Sequence, residues 1–217
     1  MVENKMKDIK KFYTDGFFIV DDFLEEKFYK KLLHTFKKEN NWERVDQVRP
    51  HYQKGGPFEM ESKYFPKNNE EYYLQGWRAK VLEESSCWRK DYAEIFLTKI
   101  NKLFQNIVKT DTTYILKYMK NDFSRIHVDD LRGDVDRVDI SILYYLCDEW
   151  IWDWGGILMI AKSTKSEDMH AVMPKGNRIV FINNQKKLPH CVTPVAEYAK
   201  ENRYAVASFI GCKEPFK

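Results

Sequence analysis

The chain has 217 residues, 43% hydrophobic and 15% aromatic, which excludes a disordered polyelectrolyte and gives enough length to bury a sizeable core. Its 36 basic and 33 acidic side chains leave a net charge of only +3, which argues against the concentrated positive excess of a nucleic-acid binder. The opening residues carry no apolar signal core, and no stretch approaches the roughly 20 apolar residues of a membrane span. Four scattered cysteines, Cys87, Cys147, Cys191 and Cys212, form no Cys-x-x-Cys pair, so the expected setting is a reducing one, the cytoplasm, without membrane or nucleic-acid partners.

In chain order, Asp15-Gly16 reads as a turn, followed by a short apolar strand within 17–24. From Glu25, Phe28, Leu32 and Phe36 recur every four positions among lysines, with acidic residues first, which predicts an amphipathic helix. Residues 40–77 carry prolines, paired glycines and many aromatic side chains, and read as a long aromatic-rich loop region. A second helix is predicted over 89–108, where Tyr92, Ile95, Phe96, Ile100, Leu103 and Ile107 fall at helical spacing.

After Asp111 the texture changes to short runs rich in β-branched and aromatic residues at 113–119, 138–147, 157–161, 178–183 and 203–210. Turn signals such as Gly155-Gly156 separate them without intervening helical patterns. An antiparallel sandwich or barrel follows, with helices first and sheet afterwards. No repeat or linker marks a second domain, so one domain is expected over 1–217, with a supporting and substrate-loop half to about 112 and a β core over 113–211.

Of the five histidines, two sit where chemistry is the better reading. His127-Val128-Asp129 aims an imidazole and a carboxylate to one face if the segment is extended. His190, at the start of another candidate strand, can complete two histidines and one carboxylate. Such a set leaves three positions of an octahedral Fe(II) open, although the same ligands also suit a catalytic zinc. Side-chain alternation favours Asp129 over the adjacent Asp130 as the carboxylate. Arg203 begins a strand on which Ala205 and Ala207 share its face, leaving space beside a guanidinium for a carboxylate ligand. Cys191, beside His190, reads as a small buried hydrophobe and not as a nucleophile.

Taken together, His127-x-Asp129, Tyr144-Tyr145-Leu146, Gly155-Gly156-Ile157-Leu158, Pro189-His190-x-Val192-x-Pro194 and Arg203-Tyr204-Ala205 resemble the Fe(II)/2-oxoglutarate dioxygenases, in the prolyl-4-hydroxylase-like branch that includes the HIF-type prolyl hydroxylases. The resemblance implies a double-stranded β-helix, or jelly roll, with N-terminal helices packed on one sheet. It implies that His127, Asp129 and His190 ligate Fe(II), that Arg203 and Tyr145 bind the C5 carboxylate of 2-oxoglutarate, and that Tyr118 lines the pocket. It further implies O2 as co-reactant and ascorbate as reductant.

The reaction so implied is hydroxylation of an unactivated C–H bond, with a prolyl residue of a peptide or protein as the expected substrate and a free amino acid or natural-product precursor as the alternative. Ala207 departs from relatives that carry a threonine there, and 196–202 lengthen the segment between His190 and Arg203. Residues 40–77 and the tryptophan-rich stretch 148–154 are the expected substrate mouth. A zinc hydrolase and a non-catalytic cupin-like binding module are the rival readings. The oligomeric state is not legible.

Overall fold

The computed structural model describes residues 9–48, 72–84, 93–104, 107–129, 138–163 and 166–212. Among the described residues, eleven strands form one continuous curled sheet: β1 (Phe17–Val20), β2 (Glu43–Val48), β3 (Tyr72–Arg78), β4 (Ile107–Tyr118), β5 (Phe123–His127), β6 (Ile140–Leu146), β7 (Leu158–Ala161), β8 (Met169–Val172), β9 (Ile179–Asn183), β10 (His190–Val192) and β11 (Arg203–Cys212). The order is β1-β9-β6-β11-β4-β3-β5-β10-β7-β8, with β2 paired on β3, and all pairings are antiparallel. This is the expected mainly β fold with supporting helices.

The α-helices that follow β1 among the described residues are α1 (Glu26–Lys38), α2 (Lys80–Glu84) and α3 (Ala93–Phe104). The apolar faces of α1 and α3 cover one side of the β1-β9-β6-β11-β4 layer. Tyr29, Leu32, Leu33 and Phe36 from α1 and Phe96, Ile100 and Phe104 from α3 join Tyr144, Phe181 and Val206 in the largest core cluster. Phe181 is fully buried and stacks on Phe18 with centroids 4.7 Å apart, a contact worth about 1 kcal/mol beyond its area burial. Phe28, expected on the buried face, is exposed. A four-residue spacing drifts around a helix of 3.6 residues per turn, so Tyr29 and Leu33 take the core side instead.

Both faces of the central strands are covered, which is why β6 reads as a continuous apolar run. Its even positions, 140 to 146, face the helices; Leu143 and Tyr145 face the other way. There they meet Leu158, Ile160, Val172 and Val192 from the smaller β5-β10-β7-β8 layer. On β11 the same alternation sends Tyr204 and Val206 to the helices and Ala205 to the interior between the layers.

Three expectations are corrected. Residues 107–108, read as the end of a helix, begin β4, because Ile107 pairs with Cys212 and long-range pairing overrides local helical spacing. The region 40–77 contains β2 and β3, whose mixed polar sequences gave no clean alternation. β3 wedges between the layers, pairing with the end of β4 and with β5, so strands also precede the predicted β half. Cys87 lies outside the described residues, while Cys147 and Cys191 are free thiols and Cys212 is buried. Among the described residues no helix is long and apolar enough to cross a membrane.

Candidate metal and carboxylate site

His127 ends β5 and His190 begins β10, and the two residues are register partners across the ladder between these strands. Asp129 lies just past the end of β5, so the His-x-Asp motif straddles a strand end and is not wholly within a strand as expected. The outcome for the side chains is the same. His127 Nε2 is 3.6 Å from Asp129 Oδ1, His190 Nε2 is 3.3 Å from Asp129 Oδ2, and one ligand atom from each residue lies within 4.8 Å of the others. Asp130 lies outside the described residues.

Each imidazole is oriented by the chain two residues before it. His127 Nδ1 lies 2.7 Å from the Arg125 carbonyl and His190 Nδ1 lies 3.0 Å from the Leu188 carbonyl. Donation from Nδ1–H leaves both Nε2 lone pairs directed at Asp129, the tautomer that metal binding requires. The Ser124 hydroxyl, 3.3 Å from His127 Nδ1, adds a polar contact that sequence reading missed.

Burial, reinforced by His190, pushes His127 down to about 4 and keeps it neutral near pH 7. Burial alone would also depress His190 and raise Asp129. Their mutual attraction outweighs it, lifting the imidazole and holding the carboxyl well below the usual range. An ionised carboxylate between two inward Nε2 atoms is a donor set that fits a divalent cation.

A second polar group lies at the Arg203 end of β11. Arg203 is 1% exposed, and its Nε and Nη2, with the Tyr145 hydroxyl, are buried without a hydrogen-bond partner. The guanidinium carbon sits 5.0 Å from the Tyr118 ring centre and 4.8 Å from that of Tyr145. Burial raises both phenols, Tyr118 to about 12, against the pull of the guanidinium, so Tyr145 stays a donor. Buried donors left unsatisfied are costly, and a guanidinium and a phenol left so in adjacent side chains fit a carboxylate.

Ala205 and Ala207 follow Arg203 on the interior-facing side and add no bulk beside it, as the spacing predicted. Gly155 and Gly156 have φ of 67° and 62°. A Cβ at Gly156 would press on Arg203 Cδ, and one at Gly155 would overlap the Pro194 carbonyl oxygen, which is why this turn needs both glycines.

A cavity of about 360 Å³ is lined by His127, Asp129, His190, Tyr118, Ala207 and Phe209, and by Val45, Leu74 and Arg78 from the β2-β3 hairpin. The 40–77 region therefore contributes to the wall. The stretch 148–154 does not line it among the described residues: Trp150 and Trp154 pack with Tyr118, Val195 and Ala199, while Trp152 is exposed. Cys191 is half-buried with its thiol pushed up by burial, in keeping with an unreactive side chain.

The fold and site thus define a curled antiparallel jelly roll with a two-histidine, one-carboxylate cluster beside its cavity. Residues 113–211, a little under half of the chain, match the family model of the 2OG-Fe(II) oxygenase superfamily. No curated protein sequence matches the chain.

Among solved structures, a Pseudomonas putida prolyl-4-hydroxylase superimposes with a TM-score of 0.62 at 18% identity, covering 97% of this chain and 100% of that one. A Trichoplax adhaerens prolyl hydroxylase, in complex with a hypoxia inducible factor peptide fragment, gives 0.67 at 16%, covering 97% and 90%. HygX from Streptomyces hygroscopicus, with nickel, 2-oxoglutarate and hygromycin B bound, gives 0.59 at 13%, covering 95% and 87%. At these identities the likeness is one of fold.

Proposed function

We propose that this chain is a single-domain Fe(II)- and 2-oxoglutarate-dependent dioxygenase that hydroxylates an unactivated C–H bond, with a prolyl residue of a peptide or protein as substrate. His127, Asp129 and His190 hold the iron. Arg203 and Tyr145 hold the C5 carboxylate of 2-oxoglutarate, and Tyr118 lines the pocket beside them. The observation that carries this reading is the trio of buried, unpartnered donors on Arg203 and Tyr145, for which a zinc hydrolase has no evident use.

When bound, iron and 2-oxoglutarate supply the oxidising power for O2-dependent hydroxylation, with succinate and CO2 as coproducts. The chain's own contribution is placement. Arg125 and Leu188 carbonyls orient the imidazoles, the low pKa of Asp129 keeps it anionic, and Arg203 neutralises a carboxylate in a site that excludes water. The prolyl assignment draws on the fold shared with the two prolyl hydroxylases.

Succinate release from 2-oxoglutarate with Fe(II), O2 and ascorbate tests the reaction, and 2-oxoglutarate binding to the Mn(II) form tests the site. His127→Ala should abolish both. Succinate release retained by that variant, or a wild-type protein that binds no 2-oxoglutarate, overturns the reading.

A further inference from the structure

Arg78, the last residue of β3, lines the same cavity as His127, Asp129 and His190. Its backbone pairs with Leu116, and its guanidinium lies 4.3 Å from the centre of the Tyr114 ring. Tyr114 pairs with Ala207, four residues along β11 from Arg203. At about 3.4 Å per residue that is roughly 14 Å of strand. Arg203 is not among the residues that line this cavity, so Arg78 is its one lysine or arginine among the described residues, separate from the carboxylate anchor proposed above.

Arg78 differs from Arg203 in being already paired. Its Nε donates to both oxygens of Glu83, at 2.8 and 2.9 Å, and its Nη2 donates to Glu83 Oε2 at 2.6 Å. Glu83 is itself fixed, since Oε1 accepts the Ile115 N–H at 2.8 Å and the side chain is 9% exposed. All hydrogen bonds of Arg78 to described residues use the Nε and Nη2 side of the fork. The Nη1 edge remains for a ligand, held rigidly by the carboxylate on one side and the Tyr114 ring on its face.

The pair carries no net charge. A free carboxylate brought to the Nη1 edge would gain from Arg78 but lose to Glu83, whereas a neutral carbonyl oxygen gains two aligned donors without that repulsion. The cavity that Arg78 lines also has apolar wall from Val45, Leu74, Leu116 and Phe209, and Phe209 lies 5.8 Å from the Tyr114 ring on which Arg78 stacks. Such surroundings suit an aliphatic body with an amide carbonyl.

We propose that Arg78 is the specificity-determining residue of the substrate side, where its Glu83-buttressed edge binds a backbone carbonyl of an uncharged peptide segment in preference to the carboxylate of a free amino acid. This rests on the oxygenase reading above, and it narrows the substrate to an interior residue of a peptide.

The test measures succinate release stimulated by N-acetylated, C-amidated hexapeptides, with the central residue varied over all the standard amino acids, against stimulation by the free amino acids. Capped peptides should stimulate and free amino acids should not. Arg78→Lys keeps the ion pair with Glu83 but has no second planar edge. It should raise the peptide KM about tenfold, the loss expected for a hydrogen bond to a charged donor, with 2-oxoglutarate binding to the Mn(II) form unchanged. Glu83→Gln leaves the guanidinium charge uncompensated and should shift preference towards free amino acids, a change that a purely structural role for the pair would not produce.

Stimulation by free amino acids in the wild type, stimulation by neither set, or an unchanged peptide KM in Arg78→Lys overturns the proposal. Failure of the underlying oxygenase reading is read separately, as absence of 2-oxoglutarate binding by the wild-type Mn(II) form.

Discussion

Replacing Arg203 by methionine should move two observables in opposite directions. The guanidinium is 1% exposed, with Nε and Nη2 unpartnered, so the ligand-free protein carries a buried charge compensated mainly by the faces of Tyr118 and Tyr145. Those faces return about 1 to 2 kcal/mol, against a desolvation cost of several kcal/mol. Methionine fills similar volume beside Gly156 without the charge, so ligand-free stability should rise by roughly 1 to 3 kcal/mol. At a few degrees per kcal/mol for a chain of this size, that is a visible increase in Tm.

With 2-oxoglutarate the sign reverses. Losing a buried, charge-assisted pair costs roughly 3 to 5 kcal/mol, so Kd should weaken by between about two and four orders of magnitude. Thermal unfolding of the Mn(II) form with and without 2-oxoglutarate reads both effects, because ligand stabilisation scales with the logarithm of [L]/Kd. A variant that keeps the wild-type 2-oxoglutarate shift, or whose ligand-free form loses several degrees, would refute the assignment of Arg203 as a carboxylate anchor awaiting its partner.

Asn177→Ala should destabilise the fold without touching the site. The Asn177 side chain accepts from Leu24 N and Tyr144 Oη, both at 2.8 Å, and donates to Leu24 O at 2.9 Å, from a backbone with φ of 60°. Removing three buried hydrogen bonds and placing alanine in the left-handed region should cost about 3 to 5 kcal/mol by urea unfolding, and a loss below about 1 kcal/mol would contradict this account.

Asp21, bonded to Arg178 and Lys175, has its carboxyl held below the usual range. Its contribution is therefore present above the unfolded pKa of about 4 and is lost as pH falls through the depressed folded value. The group is a third exposed, so the contribution is at most about 1 kcal/mol. Asp21→Asn should flatten that part of the stability–pH curve. An unchanged acid limb would show that the pair is not coupled to folding.

The sequence by itself determined the β character of the second half, the amphipathic nature of α1 and α3, the two-glycine turn and the identity of every residue in the His–Asp–His cluster. These are legible because each rests on local chemistry: alternation, helical spacing, positive φ and rare residue types in a recognisable order. The β2-β3 pair was not legible, since its mixed sequences show no clean alternation and β3 takes its place by pairing with β4 and β5, far along the chain. The tryptophans of 148–154 read equally well as mouth or core, and only packing against Tyr118 and Val195 puts Trp150 and Trp154 in the core.

Tertiary structure alone decided which donors lack partners. That Arg203 is orphaned while Arg78 is already held by Glu83 depends on which side chains meet across strands far apart in the chain. No local pattern encodes it, because burial and hydrogen-bond satisfaction are properties of the assembled interior.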